Sequence, residues 1–246
     1  MDRWKYFDIT HHDHVLCNPT SIVKLQEMIE LLALPDGGRV LDIACGKAEF
    51  LIRLVERYRC SGVGADLSPP FVLEARKRAA ERVPSARIDL REIDGANYDG
   101  SPDSFDLVSC LGASWIWRGH RGTLLALMRW AKPRGQILVG EPFWQREPEE
   151  EYLTAEEVLR ETFGTHFQNV QTGIELGLTP LYSMISNGDD WDRYEALQWR
   201  AADTWASANP HDPDREAVLE RCRKSRDTYL RWGRETLGWA LYLFRK

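Results

Sequence analysis

The sequence is poor in the residues that build disulfide frameworks and zinc sites. Its five cysteines are scattered, and no two of them form a C-x-x-C pair. An odd number of scattered cysteines is typical of reduced thiols inside the cell. The sequence also lacks an apolar run of the roughly 18 to 20 residues that a membrane span needs. The opening stretch "MDRWKYFDITHHDH" lacks the apolar core of a signal peptide. We therefore expect a cytoplasmic protein without a membrane span.

The chain also lacks an excess of positive charge. Its formal net charge is −6 at pH 7, which excludes a general affinity for the phosphates of nucleic acid. Three histidines near the N-terminus, His11, His12 and His14, are candidate metal ligands. Because no cysteine or second histidine pair follows at a familiar ligand spacing, we expect no metal site. We interpret this stretch as a lid that folds over a pocket, with Tyr6 and Phe7 among its side chains.

Segments typical of strands and helices alternate over the first 145 residues. Short apolar runs are followed by segments with helical spacing of apolar residues. Such alternation predicts an α/β fold, in which helices cover both faces of a parallel sheet and ligands bind beyond the carboxyl ends of the strands. We expect strands at 39–44, 62–66, 86–93, 105–112 and 136–143, and helices at 20–34, 49–58, 71–83 and 123–131.

After residue 145 this alternation stops. An acidic helix is predicted at 147–163 and a sixth strand at 181–186. Two long helical stretches, 189–208 and 214–237, come before a last apolar strand at 238–246. Because a final strand follows them, we interpret these two helices as an insertion. We predict a single domain over 1–246, composed of an N-terminal lid and helix (1–35), a ligand-binding core (36–145) and a helical cap insertion (189–237).

The loop after the first strand is short of glycine. It reads A-C-G-K-A over residues 44–48, and Gly46 is its single glycine. A dinucleotide site needs three, because a pyrophosphate must approach the backbone closely. S-adenosylmethionine has an adenosine and an amino-acid tail but no phosphate, and it tolerates this loop better. Gly46 can let the tail approach, and Asp42 can balance its ammonium. Ala44 is a point of strain, because alanine tolerates a positive φ poorly.

Two further acids follow the next strands. Asp66 ends the second strand, where a carboxylate can accept hydrogen bonds from both ribose hydroxyls. Nicotinamide cofactors and S-adenosylmethionine both contain a ribose, so Asp66 alone does not separate them. Asp94 lies just past the third strand and can accept a hydrogen bond from the adenine amine. Taken singly, each acid could instead cap a turn or a helix.

Five segments together resemble one enzyme family. "VLDIACGKAEF", "GVGADLS", "IDGA", "FDLVSCLGASW" and "KPRGQILVGEPFW" resemble the class I S-adenosylmethionine-dependent methyltransferases. They are most similar to the small-molecule branch that includes the ubiquinone/menaquinone C-methyltransferase-like enzymes. "LGASWIW" and "WDRYEALQW" further resemble one bacterial subgroup. The resemblance implies a Rossmann-like, seven-stranded, mostly parallel sheet with an antiparallel last strand and a helical cap.

The resemblance also implies S-adenosyl-L-methionine as the cofactor and a small molecule as the methyl acceptor. The family pattern, acid-x-G-x-G-x-G, is kept at Asp42 and Gly46, whereas Ala44 and Ala48 stand at the outer glycine positions. Leu111 would act through its backbone carbonyl. The implied cofactor-binding residues are Tyr6, Asp42, Ala44, Gly46, Asp66, Leu67, Asp94, Gly95 and Leu111.

Catalytic and acceptor-binding residues are expected at the carboxyl edge of the sheet. If the acceptor atom carries a proton, a base helps to remove it. We expect His14 first in that role, then Glu141 and His120. Indole side chains near the ends of the fourth and fifth strands are expected to contact the acceptor, although each could serve packing alone. These are Trp115, Trp117 and Trp144.

Two other classes of function are compatible with parts of the sequence. One is a nicotinamide-dependent oxidoreductase, which the incomplete glycine pattern disfavours. The other is a protein that binds the cofactor without catalysis. Methyl transfer from a sulfonium needs mainly an acceptor placed close to the methyl group and the exclusion of water. For this reason no nucleophile motif marks the site, and the sequence leaves the oligomeric state open.

Overall fold

A seven-stranded sheet is the centre of the computed structural model, which describes residues 2–246. The strand order is 3-2-1-4-5-7-6 in chain numbering. The last strand pairs antiparallel with both of its neighbours, and every other pairing is parallel. The predicted sheet is therefore confirmed. In chain order the strands are β1 (Arg39–Ile43), β2 (Ser61–Asp66), β3 (Ile88–Glu92), β4 (Phe105–Leu111), β5 (Ala131–Trp144), β6 (Thr179–Ile185) and β7 (Leu237–Arg245).

The strand order creates a crevice at one edge of the sheet. From β1 the chain passes outward to β2 and β3, and then returns to pair β4 with the other side of β1. The crossover after β1 runs toward β2, and the crossover after β4 runs the other way, toward β5. The loops after β1 and β4 therefore diverge, and ligands bind at such a point. The loop 44–48 lies there.

Helices cover both faces of the sheet, because successive strand residues point to opposite sides. Leu41 and Val108 pack toward one helical layer, and Val40 and Leu107 pack toward the other. Over residues 2–246, none of the helices is long and apolar enough to cross a membrane. The longer helices are α1 (Arg3–Thr10), α2 (Ile22–Leu31), α3 (Glu49–Tyr58), α4 (Pro69–Arg82), α5 (His120–Trp130), α6 (Glu150–Glu156), α7 (His166–Glu175), α8 (Gly188–Ala208) and α9 (Arg215–Thr228).

Three segments differ from the sequence-based expectation. The acidic helix is limited to α6, since Glu157 has φ +56° and ends it. The helix α7 was not predicted, although Thr165 and Gln168 form a capping box, which is a helix-start signal in the sequence. Residues 132–135, which separate the predicted helix and strand, form an irregularity within the longer β5, where Arg134 has φ +65° and the pairing with β4 shifts register.

The N-terminal helix and the two long helices after β6 form one layer. Tyr6 and Ile9 of α1 are buried against Ala202 of α8 and Val218 and Cys222 of α9. The predicted helix at 214–237 begins as α9, continues through a π-helical turn at Tyr229–Gly233, and ends at Thr236. We call α1 with residues 11–20 the lid, and α8 with α9 the cap. Met1, the first residue of the predicted lid, lies outside the described residues.

Packing of α7 on β7 gives a test of this fold. A Cβ at Gly173 would lie 2.3 Å from a ring carbon of the buried Phe244. We expect Gly173→Ala to lower the free energy of unfolding by about 1–3 kcal/mol through overpacking. Urea denaturation measures this loss. Gln171→Ala on the same helix is the control and should change stability by less than about 0.5 kcal/mol. Equal midpoints for the two variants would contradict the packing described.

Candidate functional site

A cavity of about 590 Å³ lies at the carboxyl ends of β1, β2 and β4. Its floor consists of the loop 44–48 and of residues that follow β2, β3 and β4. The lid contributes Trp4, Phe7 and His11, and the cap contributes Tyr194 and Arg221. Three layers that are distant in sequence therefore enclose one space.

The loop after β1 has an alternating left-handed backbone. Ala44, Gly46 and Ala48 have φ values of +55°, +55° and +58°. Only glycine adopts this region without steric cost. The sequence-based expectation of strain at Ala44 agrees with this backbone, and Ala48 has the same strain. The loop therefore keeps the path that a glycine-rich loop would take, with two alanines in place of glycines.

Asp66 is fixed by backbone N–H groups. Its carboxylate accepts hydrogen bonds from Gly46 N at 2.7 Å and from Ser68 N at 2.8 Å. Burial raises the pKa of Asp66, and these N–H bonds oppose the rise. The carboxylate thus joins the loop after β1 to the loop after β2, and it lines the cavity.

The other two acids are also structurally engaged. Asp42 is buried and accepts a hydrogen bond from the Ser109 hydroxyl at 2.7 Å. Burial raises the pKa of Asp42 to about 7. Asp94 accepts a hydrogen bond from Ala96 N at 2.9 Å and caps a short helical turn. Both acids line the cavity, so each has a local structural role beside the one predicted.

Eight of the nine predicted cofactor positions line this cavity: Asp42, Ala44, Gly46, Asp66, Leu67, Asp94, Gly95 and Leu111. The carbonyl of Leu111 already accepts a hydrogen bond from Asn18 Nδ2 at 3.3 Å. The ninth position, Tyr6, is not among the lining residues. Its ring is buried in the contact between α1 and the cap. Trp4, Phe7 and His11 face the cavity instead. Their i, i+3, i+7 spacing places them on one face of a helix, and this spacing could have been recognised in the sequence.

The predicted histidine bases do not line the cavity. His14 Nε2–H donates to the carbonyl of Tyr194 at 2.8 Å, so this ring bonds the lid to the cap. His120 is buried against Tyr242, and its Nε2–H donates to the carbonyl of Asn169 at 3.1 Å. Both rings are therefore used in packing between elements.

His11 is the histidine that the structure brings to the cavity. Its Nδ1–H donates to the Phe7 carbonyl at 3.2 Å, because a carbonyl can only accept. Its Nε2 therefore accepts from the Tyr194 hydroxyl at 3.0 Å. Burial lowers the pKa of His11 to about 3 and raises that of Tyr194 well above its usual value. At neutral pH the pair consists of a neutral imidazole and a protonated phenol.

Glu141 lies beneath the cavity and is not among its lining residues. It is 1% exposed, and Oε1 accepts a hydrogen bond from the Ser114 hydroxyl at 3.0 Å. Burial raises the pKa of Glu141 to about 8. The Glu141 carboxyl group is therefore held by the segment that follows β4 and is shielded from solvent.

Of the three predicted tryptophans, one reaches the cavity. Trp115 lines it and is 63% exposed. Trp117 packs against Trp130 with ring centroids 6.3 Å apart. Trp144 packs on Phe163, and its Nε1–H donates to the carbonyl of Arg160 at 2.8 Å. Trp117 and Trp144 are therefore not among the residues that line this cavity, because their rings pack against Trp130 and Phe163.

Lys47 is a functional residue that the sequence reasoning missed. Its ammonium donates to the backbone carbonyls of His11, His12 and His14 at 2.7, 3.1 and 3.2 Å. These carbonyls follow the C-terminal end of α1, where a cation is favoured. Lys47 is 6% exposed, and burial lowers its pKa. The loop that lines the cavity is therefore bonded directly to the lid.

A metal centre has no support in the part of the chain that the structure describes. Within residues 2–246, no group of three or more histidine, cysteine or acidic side chains is placed to hold a metal ion. Glu49, an acid at the cavity, is instead paired with Arg53 at 2.6 Å and with Arg82 at 2.7 Å.

Comparisons with known proteins agree with the geometry. The family described as "Methyltransferase domain" matches residues 40–135. The Escherichia coli K12 protein YjhP is 30% identical over 244 residues, 98% of each chain. Two crystal structures of S-adenosylmethionine-dependent methyltransferases, both in complex with S-adenosylhomocysteine, are also similar. The Geobacter sulfurreducens protein is 30% identical over 98% of this chain and 97% of its own, with a TM-score of 0.91. The Thiobacillus denitrificans protein is 32% identical over 99% of each, with a TM-score of 0.91.

The strained loop can be tested by adding a glycine. Ala44→Gly relieves a left-handed alanine, and we expect a gain of about 0.5–1 kcal/mol in the free energy of unfolding after the larger entropy of the unfolded glycine is subtracted. Ala79→Gly, within α4, is the control and should lose about 1 kcal/mol. Chemical denaturation compares the two. A loss at position 44 as large as that at position 79 would contradict the strain.

The contact between loop and lid can be tested at Lys47. Lys47→Met keeps the length of the side chain but removes the donors, and we expect a loss of about 1.5–3 kcal/mol, since bonds to charged groups contribute that much. Hydrogen exchange should quicken at the amides of residues 3–14. Lys77→Met, at an exposed position on α4, is the control. Unchanged exchange in the lid of Lys47→Met would show that this contact does not hold it.

Proposed function

The chain belongs to the class I S-adenosylmethionine-dependent methyltransferases, and from this premise we propose that it methylates a small molecule. The enclosure of the cavity by lid and cap is the observation that carries the proposal. A volume of about 590 Å³ is in the range of small-molecule sites. Residues of both layers line the cavity, and a macromolecule would have to pass them to reach the loop at Gly46. The resemblance of the motifs to the ubiquinone/menaquinone C-methyltransferase-like branch also supports a small acceptor.

S-adenosylmethionine is the cofactor, and the residues of the cavity fit it. The Ser68 hydroxyl is buried at the cavity and has no hydrogen-bond partner among the described residues. A buried polar atom in such a position is expected to meet a ligand. Asp66 would accept hydrogen bonds from the ribose hydroxyls, Asp42 would balance the ammonium, and Asp94 would accept from the adenine amine. The left-handed Gly46 would let the amino-acid tail approach the backbone.

The protein's part in the reaction is to position the acceptor and to exclude water. When bound, the cofactor supplies a methyl group that is already activated by a positively charged sulfur. The lid closes the cavity through Lys47, and Trp4 and Phe7 give it an apolar wall. An oriented acceptor in a dry site needs little further chemistry from the chain.

The cavity favours an acceptor that needs no strong base. His11 stays neutral down to about pH 3, and the Tyr194 phenol keeps its proton. Since the phenol donates to His11, its oxygen can still accept a hydrogen bond from an acceptor group. This pair would orient the acceptor rather than take its proton, and it replaces His14, Glu141 and His120 in our proposal. Neither a nicotinamide-dependent reaction nor binding without catalysis is favoured by the related structures.

A labelled-methyl assay tests the proposed function. An extract of the cells that carry the gene is separated by a membrane into small molecules and macromolecules, and each part is incubated with labelled S-adenosylmethionine. We expect label to appear in the small-molecule part alone. Asp66→Asn should reduce labelling and weaken S-adenosylhomocysteine binding by about ten- to a hundredfold, as expected for losing a charged hydrogen-bond partner.

The control for this assay is Asp99→Asn, an exposed acid outside the cavity. It should behave like the unaltered protein in calorimetry and in labelling. Label confined to protein or nucleic acid would overturn the small-molecule proposal and leave cofactor binding in place.

A further inference from the structure

One cationic side chain among the described residues of the cavity wall has no hydrogen bond or ion pair to the rest of the protein. Arg221 of α9 lines the cavity beside the lid. Its guanidinium carbon lies 3.9 Å from the ring centroid of Tyr6. Stacking of this kind holds the plane of a guanidinium while its N–H groups stay available at the edge. Because Tyr6 is buried between α1 and the cap, the position of Arg221 is set by the core of that contact.

The other charges around the cavity are engaged elsewhere. Glu49 is paired with arginines, and Asp66 accepts two backbone N–H bonds. Lys47 is bonded to three carbonyls of the lid. Among the described residues that line the cavity, Arg221 is therefore the cation that is free to meet an acceptor.

The contrast with a near neighbour on the same helix is informative. Arg223 is exposed on α9 and forms an ion pair with Glu220 at 3.2 Å. Arg221 is exposed as well, but it lines the cavity and lies over the ring of Tyr6. Among the described residues, no acid forms an ion pair with it. A guanidinium in this state matches the geometry of a planar carboxylate, to which it can donate two parallel hydrogen bonds.

The aromatic side chains in the lining of the cavity indicate the chemistry of the rest of the ligand. Trp4, Phe7 and Trp115 line the same cavity and favour an apolar or planar body. A single guanidinium balances the single charge of a carboxylate, whereas a phosphate monoester would bring almost two negative charges.

We propose that the methyl acceptor is a small organic carboxylate whose anionic group pairs with Arg221. This inference rests on the proposed small-molecule function and narrows its substrate class. It makes Arg221 a specificity-determining residue: removal of its charge weakens acceptor binding and leaves the cofactor site intact.

An ion-exchange experiment tests this proposal. The small-molecule extract is separated before the reaction into anions that bind an exchanger and an unbound fraction of neutral and cationic compounds. Each fraction is incubated with labelled S-adenosylmethionine and the complete protein. We expect labelling from the anionic fraction, and we expect it to survive prior treatment of that fraction with a phosphatase. The same fraction should also raise the melting temperature of the protein saturated with S-adenosylhomocysteine.

Variants at position 221 connect this activity to the residue. Arg221→Gln should raise the KM for the anionic fraction by about ten- to a hundredfold, with a smaller change in kcat, because ground-state binding is lost. Arg221→Lys should recover part of the loss. Arg223→Gln is the matched control and should equal the unaltered protein. All variants should bind S-adenosylhomocysteine with unchanged affinity.

Other outcomes separate the two proposals. Labelling from the unbound fraction, or its loss after phosphatase treatment, would overturn the carboxylate and leave small-molecule methylation in place. An unchanged KM in Arg221→Gln would overturn the role of Arg221. Labelling from neither small-molecule fraction would overturn the proposed function, and the carboxylate would fall with it.

Discussion

The ammonium of Lys47 is the interaction on which the enclosed site depends. It comes from the loop after β1 and is buried among three carbonyls that follow α1. A buried ammonium is costly unless donors and acceptors are matched, and here three hydrogen bonds match its three protons. The same residue thus orders the floor of the cavity and its cover. Because the lid also packs on the cap, the position of the cap depends on this contact as well.

The floor of the cavity is a strained loop tied down by a carboxylate. Ala44, Gly46 and Ala48 all have left-handed φ values, and strain of this kind persists only where the surroundings define it. Asp66 helps to hold the loop in this conformation, because it accepts a hydrogen bond from Gly46 N. The acid expected to bind a ribose is therefore also the acid that fixes the loop. In our proposal, cofactor binding and the structure of the loop depend on this same side chain.

The acceptor end of the site is built from elements that lie far apart in the sequence. Trp4 and Phe7 come from the lid, Trp115 from the end of β4, and Tyr194 and Arg221 from the cap. In our proposal the loop at the floor fits the cofactor, whereas these five side chains select the acceptor. The Tyr194–His11 pair and Arg221 differ in what they offer: a neutral hydrogen-bonding group and a charge. In our proposal, the acceptor forms a hydrogen bond with this pair and an ion pair with Arg221, and the apolar wall packs against the rest of it.

The sequence by itself determined the sheet and the cofactor, and eight of the nine cofactor positions that it predicted line the cavity. Strand periodicity and the short loop at Gly46 are local features, and local features can be read from neighbouring residues. Only the tertiary structure decided which side chains of the lid, the cap and the loop after β4 line the cavity. His11 rather than His14 reaches the cavity. Trp117 packs against Trp130 of α5, and Trp144 packs against Phe163, so neither ring lines the cavity. The contact of Lys47 with the lid and the position of Arg221 at the cavity join residues that are distant in the sequence. The spacing of residues along the chain does not predict such contacts.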